Sequence, residues 1–85
     1  MSDASRQLHV RFFAILREQA GCSALDVSST APSPAALYAE LQARFASLTF
    51  PATLLRVSIN ERYADMSAPL TADDRVVFIP PVAGG

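Results

Sequence analysis

The chain has 85 residues, 51% of them apolar, a net charge of −1 at pH 7 and a sequence pI near 5.6. That length holds one domain whose single core buries roughly 60 to 65% of the unfolded surface, and the charge excludes the basic stripe of a nucleic-acid binder. A lone cysteine, Cys22, excludes an internal disulfide or a cysteine-rich metal site, and with no signal peptide or long apolar run a soluble, cytoplasmic protein without a membrane partner is expected.

Residues 1–7 are polar and aperiodic, which predicts a short disordered lead before a domain over 8–79. Leu8, Val10 and Phe12 alternate with His9, Arg11 and Phe13, the period of a strand with one buried face. From Ala14 to Ala20 the residues favour helix and stop at Gly21, a residue suited to positive φ, so a turn or two of helix is expected. Leu25 and Val27 alternate in a second strand, antiparallel to the first. Ser33 reads as an N-cap and Pro34 as the first helical position. Leu37, Leu41 and Phe45 then repeat at i, i+4, i+8, which predicts a helix from Pro34 to about Ala46. It is the only long helix, so its stripe must lie on the sheet.

Thr49-Phe50-Pro51 ends that stretch. Leu55, Val57 and Ile59 alternate in a third strand, Asn60-Glu61-Arg62 reads as a turn, and Tyr63-Ala64 as a short strand. Pro69 to Asp74 is a polar turn before the last strand, Arg75 to Ile79, with Val76 and Phe78 facing inward. The order predicts an α+β, β-grasp fold: a mixed sheet with one main helix packed on one face, its first and last strands parallel neighbours at the centre.

Strand parity sends Phe13, Val77 and Ile79 to the uncovered face, joined by Tyr63, with Arg11 and Arg56 as a polar rim. Grouped apolar residues on such a face predict a partner-binding surface. His9 reads as a surface imidazole, Cys22 as an incidental thiol, and Asp73-Asp74 as a turn. No metal site and no catalytic side-chain set is expected.

Two of the three glycines are Gly84 and Gly85, the last residues. Glycine passes through gaps too narrow for any side chain, whereas Pro80 and Pro81 hold the backbone extended. Residues 80–85, Pro80 and Pro81 followed by Val82, Ala83, Gly84 and Gly85, are therefore expected to form a tail that reaches about 20 Å from the body and can enter a partner's pocket. An α-carboxylate is a poor electrophile, most simply activated as an acyl adenylate with ATP on another protein; it then accepts an amine or sulfide. All seven cationic residues are arginine, so any side-chain amine joined to this tail belongs to another protein.

The run Val10-Arg11-Phe12-Phe13-Ala14 with Leu16-Arg17-Glu18 and Gly21, Asn60 in its turn, Pro69-Leu70-Thr71 with Asp74, and the ending Phe78-Ile79-Pro80-Pro81-Val82-Ala83-Gly84-Gly85 resemble the small, sulfur-carrying subunits of molybdopterin synthase, in the MoaD/ThiS ubiquitin-like family. The resemblance runs from about Leu8 to Gly85, with Ile79 where a second aromatic often precedes the prolines. It implies a sulfur carrier of molybdenum cofactor biosynthesis with no bound cofactor. Gly85 would be adenylated by an E1-like adenylyltransferase using ATP, then converted to a thiocarboxylate with sulfur from a sulfur donor protein. The tail would enter the large subunit of molybdopterin synthase, in a hetero-tetramer, and donate sulfur to cyclic pyranopterin monophosphate. On that basis Phe13, Tyr63, Val77 and Ile79 dock partners, and the large subunit supplies the catalytic side chains. A carrier for cysteine, thiamine or tRNA thiolation, a ubiquitin-like protein modifier and a purely structural interaction module are the alternatives.

Overall fold

Polar residues open the first strand. In the computed structural model, which describes residues 5–81, β1 spans Arg6–Phe12, so the expected lead at 1–7 is too long by two residues. Arg6 and Gln7 pair with Ser29 and Ser28 of β2 (Ala24–Ser29). The Arg6 guanidinium also donates to the carbonyls of Ser29 at 2.8 Å, Ala31 at 2.7 Å and Leu70 at 3.0 Å. Backbone pairing and a charged donor, not burial, hold this end of the strand, which is why hydrophobic alternation missed it. Residues 1–4 of the expected lead and the expected tail residues Val82, Ala83, Gly84 and Gly85 lie outside the described residues.

Between these strands, α1 (Ile15–Ala20) ends where expected: Gly21 has φ 79° and donates its N–H to the Arg17 carbonyl. The long helix, α2 (Pro34–Arg44), starts with the Ala36 N–H donating to Ser33 Oγ and has Pro34 at its head. It stops at Arg44 rather than near Ala46, because Phe45 turns to φ −112°, ψ 101° while its N–H still caps the Leu41 carbonyl. A single 3-10 turn at Ala52–Leu54, without a sequence signal, precedes β3 (Arg56–Ile59). β4 (Arg62–Ala64) follows after a two-residue hairpin at Asn60 and Glu61, both at positive φ. β5 (Arg75–Ile79) completes the sheet.

The strand order is β2-β1-β5-β3-β4. β1 and β5 run parallel at the centre and every other pairing is antiparallel, the β-grasp arrangement anticipated from the chain order. Leu8, Val10 and Phe12 meet Val57, Val76 and Phe78 beneath Leu37 and Leu41 of α2, all buried. Tyr38, off the i, i+4, i+8 stripe, is also fully buried: its ring lies 5.2 Å from that of Phe78, and its hydroxyl donates to the Phe50 carbonyl at 2.8 Å. Phe45, counted on the stripe, is only half-buried.

Ahead of β5, the buried Asp74 carboxylate accepts from the Thr71 N–H at 2.8 Å, the Thr71 hydroxyl at 3.0 Å and the Asn60 amide at 2.8 Å. Burial pushes its pKa upward, but those hydrogen bonds outweigh it and hold the carboxyl below its usual range. Asn60 returns the link by accepting from the Arg75 N–H. The β3–β4 hairpin and the start of β5 are thereby fastened together. Among the described residues no helix is long and apolar enough to cross a membrane.

Candidate functional site

Because β5 sits between β1 and β3, the chain leaves the sheet from its middle, past Ile79. Pro80 is buried and Pro81 is exposed, so the exposed part of the expected 80–85 tail begins one residue late. Proline has no N–H to leave unpaired, which lets Pro80 be buried without a donor partner.

Two grooves flank this exit, one of them apolar. On one side a groove is lined by Phe13, Ala14, Ile15, Phe50, Leu54, Ile79, Pro80 and Pro81, almost wholly apolar. On the other, a second groove runs from Thr53 and Leu54 past Arg56 and Tyr63 to Met66, and again includes Pro81. Leu54 and Pro81 are common to both. Phe13 is 48% exposed, Ile15 38%, Leu54 56% and Tyr63 79%, so four large apolar side chains stand open to solvent around the exit. The sequence reading had Phe13, Tyr63 and Ile79 but missed Ile15, Phe50 and Leu54. Ile15 lies in a helix too short to show a face, and Leu54 in a 3-10 turn with no usable period.

The expected apolar patch is less continuous than parity implied. Across the open face the register runs Arg11, Val77, Ser58, Tyr63. Val77 is therefore half-buried between an arginine and a serine, and Ser58 separates it from Tyr63. Parity assigns a face but is blind to the neighbours on it. Phe13 and Ile79 gather at the exit, Tyr63 flanks it from the outer strand, and Arg11 and Arg56 are exposed beside them.

One strained backbone position lies at the same place. Ala14 adopts φ 53°, ψ −125°, a conformation that favours glycine. The Leu16 N–H reaches back to the Phe13 carbonyl at 3.0 Å, closing a tight reversal from β1 into α1. That reversal leaves Phe13 and Ile15 both facing outward at the groove.

Farther along the open face lies a hollow lined by His9, Arg11, Asp26, Asp73, Arg75 and Val77. His9 is more than an isolated surface imidazole: Nδ1 lies 2.8 Å from Asp26 Oδ1 and Nε2 3.4 Å from Asp73 Oδ1. Hydrogen bonding to Asp26 first, then to Asp73, raises its pKa above the ordinary value. These carboxylates are 17 and 64 positions away in sequence, which hid the cluster. Arg75 and Glu61 approach to 3.4 Å beside it. Cys22 is half-buried against the core edge. Among the described residues no group of three or more histidine, cysteine or acidic side chains is placed to hold a metal ion.

Comparison with known proteins agrees with this geometry. The sequence signature of the ThiS family matches residues 10–85. The molybdopterin synthase sulfur carrier subunit of Escherichia coli (strain K12) is 34% identical over 80 residues, covering 92% of this chain and 99% of that protein. Among solved structures, small archaeal modifier protein 1 of Haloferax volcanii superposes with a TM-score of 0.77 at 23% identity, over 93% of this chain and 99% of that one. A Helicobacter pylori 26695 complex of subunits 1 and 2 of molybdopterin-converting factor contains a chain that matches with a TM-score of 0.66 at 25% identity, over 93% and 99% of the two chains.

Proposed function

The chain belongs to the ThiS family, and from that membership we propose that it is a sulfur carrier of molybdenum cofactor biosynthesis, the small subunit of a molybdopterin synthase. The carboxylate of Gly85 attacks the α-phosphorus of ATP on an E1-like adenylyltransferase, releasing pyrophosphate and forming an acyl adenylate. Sulfide equivalents from a sulfur donor protein displace AMP, leaving a thiocarboxylate. In the pocket of the large subunit this sulfur passes to cyclic pyranopterin monophosphate and water restores the carboxylate. A dithiolene holds two sulfurs, so two charged carriers serve each product, in a hetero-tetramer of two large and two small subunits.

The observation that most supports this reading is the convergence of exposed apolar side chains, Phe13, Ile15, Leu54 and Tyr63, on Pro81, where the chain turns toward its reacting end. Grouped apolar surface beside Pro80 and Pro81 suits a partner that grips the body and admits the tail. Phe13, Ile79 and Tyr63 dock the large subunit; Pro80 seats the tail on the body; Pro81, Val82 and Ala83 form the stalk, and Gly84 gives close passage to Gly85. Val77 contributes less, set between Arg11 and Ser58.

A second reading, a ubiquitin-like modifier joined to lysines of other proteins, is favoured by the fold likeness to the archaeal modifier. The deciding experiment incubates the thiocarboxylated protein with the purified large subunit and the pterin precursor, assays dithiolene product, and follows the intact mass of the carrier. Dithiolene formation, with the carrier's terminal sulfur exchanged for oxygen, is the expected result. Isopeptide-linked species of higher mass without dithiolene would replace this proposal with the modifier reading.

A further inference from the structure

We propose that Gln19 is a positioning residue that sets the width of the apolar groove beside the tail exit, and through it the affinity for the large subunit; this rests on the docking role given to the groove above. Gln19 Oε1 accepts two consecutive backbone donors, the Thr49 N–H at 2.9 Å and the Phe50 N–H at 3.0 Å. Only the carbonyl oxygen of the side chain can accept, so its orientation is forced by the two donors it meets.

Residues 45–51 connect α2 to the 3-10 turn without a strand or helix ladder. Within this segment Leu48 is buried in the core and its N–H donates to the Phe45 carbonyl, while the Thr49 and Phe50 amides are held by Gln19. The Phe50 carbonyl is fastened by the Tyr38 hydroxyl at 2.8 Å and more distantly by the Gln42 amide at 3.4 Å. Phe50 is thus clamped at its N–H by a side chain of α1 and at its carbonyl by side chains of α2. Pro51 after it biases the backbone toward an extended shape.

Gln19 and Ile15 are four residues apart on α1 and share one face of that helix. Ile15 forms one wall of the groove, and Phe50 with Leu54 forms another. The two hydrogen bonds therefore tie the far wall to the very helix that supplies the near one. A groove of fixed width loses less freedom when a partner fills it, so its affinity depends on that tie.

The chemistry separates acceptor from shape. Glutamate keeps an oxygen acceptor at the same reach, whereas leucine keeps the bulk and loses it. Calorimetric titration of the full-length wild type, Gln19→Leu and Gln19→Glu against the purified large subunit of molybdopterin synthase reads the affinity, with amide hydrogen exchange at Thr49 and Phe50 and thermal melting measured alongside. Gln19→Leu is expected to bind roughly tenfold more weakly with faster exchange at both amides, and Gln19→Glu to restore both. Wild-type affinity in Gln19→Leu, or weak binding in Gln19→Glu despite protected amides, overturns the proposal. Leu54→Arg, placed in the groove itself, distinguishes the two levels. If it abolishes binding while Gln19→Leu is neutral, only the role of Gln19 falls; if it leaves binding unchanged, the docking role of the groove falls and this inference with it.

Discussion

His9 is the chain's one histidine, and the aspartates on either side of it come from β2 and from the turn before β5. Because the hydrogen bonds to Asp26 and Asp73 raise its pKa in the folded state above the ordinary value of about 6.5, its contribution to stability is complete below about pH 6.5. That contribution disappears as pH rises through the raised value. Melting temperatures measured from pH 5 to 8.5 should fall across that window in the wild type, and His9→Gln should flatten the slope; equal slopes in the two proteins would contradict the pairing. Asp74 has the opposite sign. Its folded pKa is depressed below 3.8, so its stabilisation is present above that pH and lost only as pH falls through the depressed value. Asp74→Ala strands the Thr71 N–H and the Asn60 amide and should cost about 1–3 kcal/mol in denaturant unfolding. A loss within error would show that water replaces the carboxylate at no penalty.

Among the elements, the reversal from β1 into α1 shapes the site more than either element does alone. Ala14 holds a conformation that disfavours a Cβ, so Ala14→Gly should stabilise the domain by about 1 kcal/mol. Unchanged or lower stability would mean that unfolded-state entropy outweighs the relief of strain. Phe13, beside it, is about half exposed, so Phe13→Arg should leave the melting temperature near wild type. In calorimetry the same change should weaken binding to the large subunit by at least about tenfold, and unchanged affinity would count against the apolar grip. The sequence reading placed the C-terminal end of α1 and the head of α2 well, because Gly21, Ser33 and Pro34 act locally, and began α1 one residue early at Ala14. It overran α2 at its tail end, where no comparable stop residue exists and Phe45 turns out of the helix for tertiary reasons.

For the whole molecule, sheet topology brings the chain out of the sheet at its middle strand. The central strand β5 carries the chain out between β1 and β3, with Pro80 buried and Pro81 exposed. Deleting Gly85 should therefore leave the melting temperature unchanged while abolishing sulfur transfer in the dithiolene assay; full activity of the shortened chain would remove Gly85 from the chemistry.

Order of elements and most inward strand residues were legible from the amino acids alone, because period-two alternation, the α2 stripe and local caps are short-range signals. The relation of His9 to Asp26 and Asp73, the grip of Gln19 on Thr49 and Phe50, and the meeting of Ile15 and Leu54 at Pro81 were decided only by the tertiary structure. Each joins residues far apart in sequence, and side-chain hydrogen bonds and groove walls leave no periodic trace: their partners are chosen by how helices and loops pack around the sheet, not by what stands next along the chain.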